Sequence, residues 1–258
     1  MTVPFENDTG NIVRKLARKS LKSEKRRNLM VVIAVALASC LICFSIVMAL
    51  STRQIEKNHV EDTYEAVYTR ITEEDVSTLK GLDDFSRVGE YYMLAVEPAE
   101  QGYNASYIYC DEETMYIARD QMKLLEGRLP QKEDEVVVSR YFLSNYAADA
   151  GIGEKVMLSS ESFHGEYTVT GIMEGYKEKE VNGSSILLSK EALKGWSGYD
   201  PADYRAYVHF KNEQQMDETE LTARSREIAK EYQLEMPIMN LSYMKFYKQP
   251  VNVSMLAL

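Results

Sequence analysis

The chain has 258 residues, 45% of them hydrophobic, and a formal net charge of −10. These values exclude a disordered chain and, taken whole, describe an ordinary acidic soluble protein of one or two domains. The charge, however, is segregated: residues 1–28 hold eight Lys/Arg against Glu6, Asp8 and Glu24, a net +5, which leaves −15 for the rest, and Leu29 to Leu50 carry none. This pattern excludes a simple cytosolic globule. An acidic body of −15 also excludes nucleic acid as a partner, since phosphate binding needs a basic footprint.

In chain order, the first predicted element is a helix starting near Asn11, capped by Asp8 or Thr9. Ile12, Val13, Leu16, Ala17 and Leu21 recur at helical spacing, with Arg14, Lys15, Arg18, Lys19 and Lys22 between them and Lys25, Arg26 and Arg27 just after. The spacing predicts a basic amphipathic helix on an anionic inner leaflet, with these eight cations as membrane-surface residues. The plainer reading is a topology signal with solvated charge.

Residues 29–50, LMVVIAVALASCLICFSIVMAL, are uncharged, and twelve of them are Leu, Ile, Val or Phe. At ~1.5 Å per residue they span roughly 33 Å, enough for a bilayer core, and their insertion gains about 4–7 kcal/mol. A cleaved signal peptide would have a shorter leader and a shorter apolar region. Leu37-Ala38-Ser39-Cys40 resembles a lipobox, but the chain stays apolar for ten residues beyond Cys40. Ala34, Ala36, Ala38 and Ser39 offer small side chains to a partner helix. Eight Lys/Arg precede the span and only Arg53, Lys57 and Arg70 follow within twenty residues, which predicts a cytoplasmic N-terminus in a plasma membrane. The expected organisation is thus 1–28 cytoplasmic, 29–52 transmembrane and 53–258 extracytoplasmic.

Beyond a stalk from Ser51 to His59, the pattern predicts a strand at Asp62–Ile71, in which Tyr64, Ala66 and Tyr68 alternate with polar residues, and a Thr72-capped helix with Val76, Leu79 and Leu82 inward. Val88–Val96 and Ala105–Cys110 form an expected hairpin around the turn 99–104. Met115–Leu125 reads as helical or partly extended. Glu135–Val138 is a buried strand, with Ser139 capping a helix through Ala148. Lys155–Leu158 and Tyr167–Ile172 are strands joined by a His164-Gly165 turn, and Ser185–Leu188 is a strand followed by a Ser189-capped helix to Trp196. Tyr204–Phe210 alternates as a strand, Glu213–Tyr232 as an amphipathic helix, and Met236–Leu241 is the expected last strand. Intermixed strands, hairpins and helices predict an α+β domain, in one lobe or two, rather than a doubly wound parallel sheet.

The chain lacks a phosphate-binding glycine loop with lysine, so ATP must be handled elsewhere. His59, His164 and His209 have no metal-ligand spacing, and Cys40 and Cys43 lie within the span. No catalytic, cofactor-binding or metal residue is expected. Cys110 is the single cysteine after the span, which excludes a disulfide within that part. Asp111-Glu112-Glu113 reads as a solvated turn. Tyr91, Tyr92, Tyr103, Tyr107 and Tyr109 make either an aromatic interaction surface or half-buried strand positions.

An ordered set of pieces then carries a family likeness. The basic leader ends in Lys25-Arg26-Arg27-Asn28 at the span, and is followed by Glu126-Gly127-Arg128-Leu129-Pro130, Glu135-Val136-Val137-Val138-Ser139, Gly151-Ile152-Gly153-Glu154-Lys155-Val156 and Tyr167-Thr168-Val169-Thr170-Gly171-Ile172. The chain resembles the MacB-like extracytoplasmic core domain of FtsX-like ABC transporter permeases, well over residues 10–175 and by order of elements beyond. The resemblance implies a separate cytoplasmic ABC ATPase as partner, further permease spans or a second permease copy, and a peptide, antimicrobial or lipid cargo. Such permeases have at least four spans and this chain shows one, so the expectation is the N-terminal part of a longer permease or a split product. The alternative from another class is a single-pass receptor or sensor ectodomain without transport role.

Overall fold

A basic, apolar-striped segment and an uncharged one dictate the first two elements of the computed structural model, which describes residues 9–175 and 178–248 and, of Thr9 and Leu21, the backbone alone. They are α1 (Thr9–Ser23) and α2 (Lys25–His59). Both alternatives for the first cap, Asp8 and the side chain of Thr9, and the side chain of Leu21 lie outside the described residues. The break at Glu24 is slight: Glu24 N–H donates to Ser20 O at 3.1 Å and Asn28 N–H to Glu24 O at 3.0 Å. α2 is the one helix, among the described residues, long and apolar enough to cross a membrane. Within it Ser45 turns its hydroxyl back onto Leu41 O at 2.9 Å, which hides a polar group in the helix's own ladder.

The chain divides into two compact units, Met1–Ile55 and Glu56–Leu258. The second unit begins with the last turn of α2 and continues through β1 (Ala66–Ile71), α3 (Glu73–Lys80), β2 (Phe85–Pro98), β3 (Asn104–Cys110), α4 (Glu112–Ile117), β4 (Met122–Gly127), β5 (Glu135–Ser139), α5 (Arg140–Tyr146), β6 (Lys155–Ser159), β7 (His164–Gly175), α6 (Glu178–Val181), β8 (Gly183–Leu188), α7 (Lys190–Gly195), β9 (Tyr204–Phe210), α8 (Glu218–Glu231), β10 (Ile238–Met239) and α9 (Leu241–Tyr243). A five-residue π-turn, Met244–Lys248, closes it.

All the strands join one sheet in the order β10-β1-β9-β2-β3-β8-β5-β7-β4, with β6 also on β7. β3–β8 and β5–β7 are parallel and the other pairs antiparallel, so the domain is mixed α+β and built on a single sheet. Both faces are buried. Alternate residues such as Tyr92, Tyr107, Val138, Ile186 and Val208 enter one core with Val76, Leu79, Phe142, Leu193, Leu221 and Ile228 of α3, α5, α7 and α8. The intervening Tyr91, Ile108, Val137, Leu187 and Tyr207 enter a second core, which α4 covers with Met115 and Ile117. Four of the five hairpin tyrosines are interior, Tyr91, Tyr92, Tyr103 and Tyr107 being at most 4% exposed, while Tyr109 is half-buried against the first core.

The motif pieces are scaffold. Gly127, at φ +82°, faces Gly171 across β4 and β7, and a side chain on Gly171 would meet Arg128 O at 2.8 Å. β7 bulges beside Gly171, where Val136 pairs with Val169 but Val137 pairs with Gly171. Arg128 then forks onto Glu135 at 2.8 and 2.7 Å, joining the Gly-Arg-Leu-Pro turn to the start of β5.

Several expected boundaries shift for local reasons. Asp111-Glu112-Glu113 is not a free turn, because Asp111 caps α4 through Thr114 N–H at 2.9 Å. Met115–Leu125 splits into the end of α4 and β4. His164 and Gly165 belong to β7, paired with Ser159 and Leu158, and the turn falls at 160–163. α5 ends at Tyr146, short of Ala148. The helix expected from Glu213 starts at Glu218, because Asp217 and Glu220 form a capping box there, and Glu213–Gln215 is a separate 3-10 turn. The last strand is only Ile238–Met239, since Asn240 caps α9.

Candidate functional site

The foot of the second unit is where α2 ends and the sheet begins. Val60 is buried, and Thr63 donates its hydroxyl to Val60 O at 2.8 Å. Asp62 takes a left-handed backbone, φ 50°, which turns the chain from helix toward β1; aspartate tolerates that region better than most residues. The turn between α4 and β4 holds this corner. His59 Nε2 lies 2.9 Å from Asp120 O. Arg119 donates to Glu61 O and lies 3.7 Å from the Asp62 carboxylate.

A second arm comes from the end of the described chain. Asn240 donates its side-chain N–H to Tyr64 O at 2.9 Å and its backbone N–H to Glu65 O at 2.8 Å, while its side-chain oxygen accepts from Tyr243 N–H at 3.1 Å. Tyr243 stacks on Tyr247 with centroids 5.0 Å apart. Tyr247 donates to Lys57 O at 3.5 Å, and Lys57 Nζ sits 5.0 Å from its ring centroid. The last turn of α2, the 118–122 turn and residues 240–247 thus form a clasp.

Behind the clasp lies a buried ion pair. Glu65, fully buried, accepts from His209 Nδ1 and from Phe210 N–H, both at 2.7 Å. Burial opposes protonation of His209, but the bond and charge of Glu65 outweigh it and raise the imidazole pKa; burial raises that of Glu65 also. No periodicity reveals this pair, because its members are 144 residues apart and each sits at a position that reads as polar and outward. The same holds for Arg119 and Asp120, whose partners are set by tertiary structure alone.

Beside the clasp is a cavity of about 400 Å³, lined among others by Tyr64, Tyr91, Ser106, Asp120 and Asn240. Asp120 Oδ1 is buried without a hydrogen-bond partner, and burial pushes the pKa of its carboxyl up. Among the described residues no three His, Cys, Asp or Glu side chains gather as a metal site would require.

The eight cations singled out from the sequence lie in the first unit and all are exposed. Arg14, Lys15, Arg18, Lys19 and Lys22 are on α1; Lys25, Arg26 and Arg27 form the first turn of α2, where Arg27 pairs with Glu24. Ile12, Val13 and Leu16 of α1 are more than 60% exposed, so its apolar stripe is uncovered.

A family model for the MacB-like periplasmic core domain matches residues 29–226, well over half of the chain. The chain belongs to this family. The MacB-like domain is therefore an ectodomain type of ABC transporter permeases, joined here to a candidate transmembrane helix. Among solved structures, the MacB-like domain is similar to the extracellular domain of the ABC-type transporter YknZ from Gram-positive bacteria (15% identity, 69% of this chain and 100% of that one, TM-score 0.49). It is also similar to the periplasmic region of MacB from Actinobacillus actinomycetemcomitans (11%, 72% and 91%, TM-score 0.48) and to a permease domain from Porphyromonas gingivalis (14%, 76% and 96%, TM-score 0.46). No curated protein matches the chain.

Proposed function

We propose that this chain is the first span and ectodomain of an ABC permease and that it relays motion driven by a separate cytoplasmic ATPase to an outer partner or cargo. The observation that carries this reading is the family match, which runs from the apolar stretch of α2 through most of the ectodomain. The clasp supports it physically. A displacement of the last turn of α2 has paths into the sheet through His59–Asp120, Arg119 and Tyr247, each a directional contact rather than loose packing. Work is done by further spans and by the ATPase, since this chain has no phosphate-binding loop of its own.

In this reading α1 and the first turn of α2 hold the inner end of the span at the anionic leaflet, through Arg14, Lys15, Arg18, Lys19, Lys22, Lys25, Arg26 and Arg27. Residues beyond about 52 face outward, with 1–28 inside. The chain is not itself an enzyme, and the cargo is a peptide, an antimicrobial compound or a lipid. Affinity purification of the detergent-solubilised chain from its own membranes tests the reading. Recovery of a P-loop ATPase is the expected result; repeated recovery of none would leave a receptor ectodomain as the better reading.

A further inference from the structure

Among the described residues of the second unit, eight large apolar side chains are exposed. Five are dispersed over β2, α4, β6, α6 and the loop before β6, which is ordinary for a protein surface. The other three fall within six residues: Met236, Ile238 and Leu241, at 53%, 62% and 78% exposure. Ile238 shares the second face of the sheet with its partner Val67. Leu241 opens α9, and its neighbours Asn240 and Ser242 line one cavity with His59 and Val60 at the end of α2. This apolar cluster therefore belongs to the foot of the unit, beside the clasp, and such clusters mark contact with something less polar than water.

The chemistry around the cluster identifies what covers it. Residues 236–248, MPIMNLSYMKFYK, hold two lysines and no acidic side chain, in a domain that is otherwise strongly acidic. Glu235, just before them, is paired with Arg70 at 3.3 Å. The exposed Lys245 has its Nζ 5.1 Å from the Phe246 ring centroid, and Lys57 stands in the same relation to Tyr247 at 5.0 Å. Apolar side chains, aromatic rings and lysines in one short stretch suit the boundary between bilayer and water. The apolar groups enter the acyl edge, the rings and lysine stems lie among the headgroups, and the ammonium groups meet lipid phosphates. Chain length agrees: Tyr247 donates to Lys57 O, and Lys57 lies seven residues past Leu50, a helical rise of about 10 Å from the end of the uncharged run.

We infer that Met236, Ile238, Leu241 and Lys245 seat the foot of the ectodomain in the outer surface of the bilayer, with anionic phospholipid as the ligand. The inference rests on the reading of α2 as a span, and its test separates the two. The full chain is reconstituted in phosphatidylcholine–phosphatidylglycerol vesicles whose acyl chains carry bromine, a tryptophan quencher, either near the headgroup or near the chain end. The single native tryptophan, Trp196, packs against the first core and is the unquenched reference. Leu241→Trp adds emission that bromine near the headgroup quenches about twofold, since an interfacial side chain sits about 5–10 Å into that boundary. Lys245→Gln in the same background lowers the docked-to-undocked ratio about fivefold, the share of one lysine at an anionic surface. Leu41→Trp, within α2, is quenched by bromine near the chain end. Quenching of Leu41→Trp without that of Leu241→Trp overturns the inference and leaves the span; no quenching of Leu41→Trp removes both. Protection of Leu241→Trp from aqueous iodide, with neither bromolipid reaching it, means that a protein surface covers the patch and also overturns the inference. Should Leu241→Trp fail to fold, as judged by circular dichroism, Ile238→Trp gives the same reading from a second exposed position.

Discussion

At the scale of single residues, two ion pairs give the ectodomain opposite responses to pH. Glu135 is held down to about 2 by the fork from Arg128, helped by the N–H groups of Gln131 and Lys132. A carboxyl lowered on folding contributes stability that is present above its unfolded value and lost as pH falls through about 2. Arg128→Ala is therefore expected to lower the melting temperature at pH 7, with the gap to the parent closing toward pH 2; a gap constant across that range would contradict the assignment. His209 works the other way. Its pKa is raised, so its contribution is full below the unfolded value of about 6.5 and is lost as pH rises through the folded one. The raised Glu65 has the same sign. His209→Gln should then cost more melting temperature at pH 6 than at pH 9, and a pH-independent cost would show that the imidazole acts only by shape. Neither pair is legible in the sequence as a pair. Arg128 and Glu135 do fall inside the pieces that carry the family likeness, but nothing in those pieces names one as the partner of the other.

At the scale of elements, what is local is legible. Thr72, Ser139 and Ser189 cap α3, α5 and α7 as expected, because a cap is a contract between residues three apart. Thr72→Ala should destabilise the domain by about 1 kcal/mol in chemical denaturation, through loss of the capping box with Asp75. Glycines sort by what surrounds them. Gly127 and Gly153 both have positive φ, but a methyl on Gly127 would overlap Thr170 O and come within 2.7 Å of Gly171 Cα, while Gly153 has open space. Gly153→Ala should cost only the left-handed backbone, about 1–2 kcal/mol, and Gly127→Ala clearly more. Equal costs would show that the β4–β7 crossing gives way easily. Strand order is not legible, since β1 pairs with β9 and β10, far along the chain, and no local pattern names the partner. Alternation in Tyr204–Phe210 correctly predicts a strand, yet it cannot show that both faces are buried. Tyr207, which alternates with the apolar Ala206 and Val208, is itself only 6% exposed.

At the scale of the molecule, the basic cluster of the sequence belongs to one unit and the sheet, with the acidic excess, to the other. Replacing Lys25, Arg26 and Arg27 together with Glu should weaken or invert insertion, read as protection of the ectodomain from protease added outside intact cells. Unchanged accessibility would mean that those charges do not set topology. The Lys57–Tyr247 contact has a further implication. Lys57 and Tyr247 stand at one spot, so the nearly two hundred residues between them behave as one elaborate hairpin bend. A domain hung on two adjacent strings can be exchanged for another, or for a short linker, without altering the distance between them. Residues 58–246 can then vary while the separation of Lys57 and Tyr247 stays fixed.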